Sequence, residues 1–160
     1  MPKPGDIVFY VDNPDNLIED AIVLFSKAKH KIVHVALWVA EDKTMEANFG
    51  ELVGYATISQ YTHKGNKHII KSLPSLTDAQ RQGILDYAHS KFGQRYDLPE
   101  DIKIGLEDTF GIHIPYTEVH RKICSTLVWD AYEAVGIKLY PEHDCSPEDL
   151  FDCPALVLDN

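Results

Sequence analysis

Cys124, His34 and Glu46 are the side chains of this sequence whose types could together perform nucleophilic chemistry at a carbonyl. Leu127, Val128, Ala131 and Val135 recur at helical spacing and the pattern stops at Gly136, which predicts a helix beginning near Cys124. A thiol at a helix start meets unpaired N–H groups and the positive end of the dipole, both of which favour the thiolate. Its own N–H could also donate to a developing oxyanion. The competing reading is a buried structural cysteine, since Cys is among the residue types most often found inside.

His34 stands within Val33-His34-Val35-Ala36-Leu37-Trp38-Val39, where an imidazole needs either a hydrogen-bond partner or a use. Strand alternation places His34, Ala36 and Trp38 on one face. A carboxylate accepting from one ring nitrogen would fix the tautomer and support an imidazolium, and Glu46 is the candidate. A tight turn over Glu41 to Lys43 would set Glu46 opposite Trp38 or Val39, so reaching His34 would need strong coiling or a bulge. Asn48 lies closer to His34 in that register and stays open as a substitute.

Cys145 and Cys153 lie in Pro-, Asp- and Glu-rich sequence with no helix start tied to a histidine, so they are expected to be structural or incidental. His30 and His34 are four apart, like helical zinc ligands, but fall across a turn into a strand. Neither a metal site nor a cofactor is expected.

The elements that must position these residues read as a first strand over Ile7 to Val11, a short helix from Leu17 to near Ser26, and a hairpin of Ile32 to Val39 with Thr44 to Asn48. Further strands are expected at Glu51 to Ile58 and His68 to Lys71, reversing at Gly65-Asn66. Thr77 and Gln80 form a capping box opening a helix whose apolar face is Ile84, Leu85, Ala88 and Phe92. Tyr96 to Lys122 reads as a partly ordered excursion with a helix possible at Asp101 to Phe110. The expectation is one α+β domain over residues 1–160, an antiparallel sheet packed against helices.

The sequence carries 25 Asp and Glu against 15 Lys and Arg, a formal net charge of -10 that would repel a phosphate backbone, so no nucleic-acid partner is expected. The basic run Lys27, Lys29, His30, Lys31 reads as a solvated turn. No apolar run approaches the roughly 20 residues of a membrane span, and Met1 to Asp6 offers no secretory apolar region. With three cysteines, an odd number, the chain is expected to be cytoplasmic with at least one free thiol.

Gly5-Asp6-Ile7-Val8-Phe9, His34 to Val39, Met45-Glu46-Ala47, Gly93 to Tyr96-Asp97, and Cys124-Ser125-Thr126-Leu127-Val128-Trp129 occur in that order. In this the chain resembles the circularly permuted NlpC-like (YiiX-like) papain-fold hydrolases, in which the histidine strand precedes the cysteine helix. The resemblance implies a cysteine hydrolase with Cys124 as nucleophile, His34 as base and Glu46 as third member. It further implies Tyr96 as a hydroxyl near the site and Ser125 beside the nucleophile on the substrate or oxyanion side. Val33 departs from the family's usual Ser before the histidine, and Thr126 from its usual Glu after Cys-Ser. The implied reaction is hydrolysis of a peptide, isopeptide, aminoacyl amide or ester through a thioester. The alternatives are a lipid acyltransferase or phospholipase on the same fold, and a catalytically silent module binding a peptide or amino acid.

Overall fold

A computed structural model describes residues 1–11, 32–47, 52–63, 65–95 and 116–159, with the backbone alone for 116–122. The helix expected from Leu17, the helix expected at Asp101 to Phe110, Asn48 and Tyr96 lie outside the described residues.

The strand β1 (Ile7–Val11) pairs antiparallel with β2 (Ile32–Ala40) on one side and with β5 (Lys67–Ser72) on the other. Being central, it is covered on both faces, which is why it reads as a continuous apolar run rather than as an alternation. With β3 (Lys43–Glu46), β4 (Gly54–Ala56) and β6 (Val157–Leu158) the sheet has the order β4-β3-β2-β1-β5-β6, antiparallel at every junction.

Two of the expected strand boundaries need correction. Among the described residues, the run expected as a strand to Ile58 forms a sheet strand only over β4, because Thr57 caps a helix, α1 (Ile58–Thr62), with its hydroxyl accepting from the Gln60 N–H. Gly65-Asn66 closes no hairpin either, since β4 pairs with β3 and β5 with β1.

α2 (Asp78–Ser90) starts at Thr77 with the reciprocal capping box that the sequence announces. α3 (Tyr116–Glu133) begins well before Cys124, and the short α4 (Pro147–Phe151) opens on a second capping box at Ser146. One sheet face, bearing Ile7, Phe9, Val35, Leu37 and Met45, packs against Ile84, Leu127, Val128, Ala131 and Leu150 of α2, α3 and α4. The other face carries Val8, Tyr10 and Ala36 and is covered by Ile58 and Tyr61 of α1. The result is the α+β arrangement expected, an antiparallel sheet with helices packed on it.

Gly5-Asp6 locks the entry to β1. Gly5 has φ 88°, a backbone conformation in which glycine alone is unstrained, and it sits in ordinary contact with the Arg81 backbone of α2. The buried Asp6 carboxylate accepts from Arg81 Nη1 at 2.7 Å and from the Lys3 N–H at 2.7 Å. Tyr132 of α3 donates to the Gly5 carbonyl at 2.7 Å, so β1, α2 and α3 meet here. Arg81→Met should therefore lower the urea-unfolding free energy by about 3–5 kcal/mol, because a buried carboxylate is left without its cation. Adding Asp6→Asn should restore part of that loss.

Candidate active site

His34 lies in the middle of the sheet, directly across from Tyr10 of β1. Its approach to Glu46 depends on the β2–β3 hairpin. The turn consists of Glu41 and Asp42 alone, with Asp42 at φ 51°, and Ala40 pairs with Lys43. A register shift between Trp38 and Ala40 then brings Trp38 opposite Thr44 and Leu37 opposite Met45. Continued one residue, that ladder sets Glu46 opposite Ala36, on the same face as His34 and diagonal to it. The shorter turn and the bulge replace the register expected from sequence, and His34 Nε2 meets Glu46 Oε2 at 3.0 Å.

Cys124 is the other electrostatic partner of the imidazole. With Nε2 on Glu46, Nδ1 is the ring nitrogen left for the thiol. Cys124, His34 and Glu46 are 0, 2 and 4% exposed, so all three interact with bulk water excluded. Burial alone would lower the basicity of His34, but the Cys124 charge and hydrogen bond, followed by those of Glu46, outweigh it and push His34 up to about 10. An imidazole whose affinity for its proton is raised in this way can hold that proton and give it up to a neighbouring group.

The position of Cys124 requires a correction. It lies two turns inside α3, so its N–H belongs to the helical ladder rather than to a free first turn. The helix-start arguments for thiolate stabilisation and for an oxyanion donor at this N–H therefore do not hold, and His34 supplies the electrostatic partner instead. Ser125 is buried and its hydroxyl donates to the Cys145 carbonyl at 2.5 Å, tying α3 to the segment before α4. Cys145 and Cys153 are free thiols and buried, and desolvation, reinforced by Asp149, pushes Cys145 up to about 12. Among the described residues no three His, Cys, Asp or Glu side chains gather as a metal site.

Sequence reasoning missed Tyr61. Its hydroxyl donates to Glu46 Oε1 at 2.5 Å, while its ring stacks on His34 at 5.3 Å and 18° and on Tyr10 at 4.1 Å and 30°. Tyr10 and His34 are themselves 5.6 Å apart and inclined by 22°. All three separations are short, so Tyr61 lies over the cross-strand pair. The signal was available in Thr57 and Gln60, the same Thr-x-x-Gln start that marks α2, but the surrounding β-branched residues read as strand.

An antiparallel sheet whose early strand presents the histidine and whose late helix presents the cysteine is a papain-like arrangement in permuted order. A family profile described as "Permuted papain-like amidase enzyme, YaeF/YiiX, C92 family" matches residues 1–144, and the chain belongs to that family. The crystal structure of the metalloprotein yiiX from Escherichia coli O157:H7 superimposes with a TM-score of 0.63 at 20% identity, covering 99% of this chain and 97% of that one. No curated protein matches the chain. Among the described residues no helix is long and apolar enough to cross a membrane.

The proton on His34 can be followed directly. By NMR, the His34 ring should titrate near pH 10, and Cys124→Ser should bring the midpoint down by about one to three pH units through loss of the interaction with Cys124. Because this folded value lies above the unfolded one near 6.5, the associated stability is fully present below pH ~6.5 and is lost as pH rises through about 10.

Proposed function

We propose that this protein is a cysteine hydrolase of amide or ester bonds in which Cys124 is the nucleophile, His34 the acid–base and Glu46 the residue that orients His34. The observation that carries this reading is the placement of one buried imidazole between a thiol and a carboxylate. Cys124 Sγ attacks the carbonyl carbon, and the C–N or C–O bond to the leaving group breaks as His34 gives it the ring proton. The acyl group is then held as a thioester. Water adds to it as His34 takes a proton, and the C–S bond breaks to release the acid and restore the thiolate–imidazolium pair. Glu46 stays ionised throughout and supports the imidazolium.

Family membership supports amide hydrolysis, with peptide, isopeptide, aminoacyl amide and ester as the substrate classes to screen. Complete burial of Cys124 means that a substrate must displace whatever covers the thiol before attack. The hydrogen-bonded Ser125 hydroxyl is better suited to holding α3 in place than to contacting substrate. Tyr96 is retained as a candidate substrate-side hydroxyl on the family resemblance alone.

Iodoacetamide near neutral pH, read by mass spectrometry, should label Cys124 ahead of Cys145 and Cys153 in the folded protein. On whichever amide or ester turns over, Cys124→Ala and His34→Ala should each abolish the covalent step, so the double variant should lose little more than either alone. Glu46→Gln should be milder. Equal labelling of the three thiols, or full activity in Cys124→Ala, would point to a binding module that merely keeps the fold.

A further inference from the structure

The neighbourhood of Glu46 contains more than its histidine. Its carboxylate is buried, with Oε2 on His34 Nε2 and Oε1 on the Tyr61 hydroxyl, the latter at a length typical of charge-assisted O–H···O⁻ bonds. Tyr61 thus touches the pair twice, by hydroxyl on the acid and by ring face on the base. Its own placement is fixed from outside the site. Asp42, at the turn of the same hairpin that carries Glu46, accepts from both the N–H and the hydroxyl of Ser59, each at 2.7 Å. Those two bonds hold the exposed Asp42 carboxyl below its ordinary range and tie α1 back onto the β2–β3 turn.

We infer that Tyr61 is a positioning residue of this site: its hydroxyl fixes the Glu46 carboxylate against His34 and its ring fixes the plane of the imidazole, with the Asp42–Ser59 clamp setting Tyr61 itself. The inference rests on the Cys124–His34–Glu46 reading above. A carboxylate with a single bonded oxygen can rotate about its last torsion, carrying the acceptor away from Nε2. Bonding the second oxygen to a ring that is stacked in place removes that freedom without adding a second charge. A buried carboxylate deprived of one donor is also more easily protonated. Among the described residues, the titratable groups facing this cluster include His34 from β2, Tyr10 from β1, Asp42 from the β2–β3 turn, Tyr61 from α1 and, beyond the imidazole, Cys124 from α3.

Tyr61→Phe keeps the ring and removes only the hydroxyl. With iodoacetamide as the probe, the rate of Cys124 alkylation against pH should show its acid limb displaced upward by about one pH unit in Tyr61→Phe. At a fixed pH on that acid limb the rate should fall about tenfold, the same displacement read as a rate. In a Glu46→Gln background the same substitution should do nothing further, because Tyr61 acts through Glu46. The His34 Nε2–H proton resonance, which needs no reaction at all, should move in Tyr61→Phe. Tyr61→Leu, lacking both hydroxyl and ring, should be worse than Tyr61→Phe.

An unchanged limb together with an unchanged His34 resonance in folded Tyr61→Phe overturns the inference and leaves the Cys–His reading standing. A Tyr61→Phe effect that persists in full over Glu46→Gln overturns it as well, since the hydroxyl would then act elsewhere. If wild-type Cys124 is not alkylated in preference to the other thiols, the underlying reading fails, and the His34 resonance still decides whether Tyr61 holds the pair.

Discussion

A carboxylate and an imidazole enclosed together away from water set the terms for the rest of this molecule. Removing either charge from solvent is expensive, and the attraction between them offsets that cost only when geometry is good and the remaining polar atoms find partners. Here the donor to the second carboxylate oxygen comes from α1, and the interaction with the thiol comes from α3. The sheet brings the acid and base to one face, and the two helices supply their further partners.

That requirement explains why the local backbone is irregular where it is. A regular hairpin with a three-residue turn would leave Glu46 too far along β3. A two-residue turn with Asp42 at positive φ, followed by a bulge, moves the ladder so that acid and base become diagonal neighbours. The same Asp42 then binds Ser59, so a residue needed for chain reversal also anchors the helix that caps the site. At the far end of β1, Asp6, Arg81 and Tyr132 hold the sheet to α2 and α3, the helix that bears the cysteine.

Much of this was legible in the sequence wherever one physical signal dominated. β1 and β2 are long apolar, β-branched runs, and the Thr77–Gln80 box marks the start of α2 with no competing pattern. Residue type and order singled out His34, Glu46 and Cys124, which the fold brings to one cluster. The start of α3 was not legible, because Tyr116 to Lys122 lacks the apolar periodicity that begins at Ile123. The hairpin register escaped because a bulge depends on how side chains pack across the strands, which one strand's sequence does not display. Tyr61 was hidden by a five-residue helix whose cap lay inside a stretch of strand-forming residues.

The partners that govern the base are close along the chain as well as in space: Glu46 is 12 residues from His34, and Tyr61 is 15 from Glu46. The thiol, by contrast, arrives on a helix from the far end of the sequence. Orientation of the imidazole is thus encoded by low contact-order pairings with little loop-closure entropy, whereas its meeting with sulfur is a long-range docking event. The permuted order therefore divides the cluster into a carboxylate–imidazole half that can assemble locally and a thiol that is added to it. Changes in how α3 seats then alter the distance to sulfur while leaving the tautomer of the base intact.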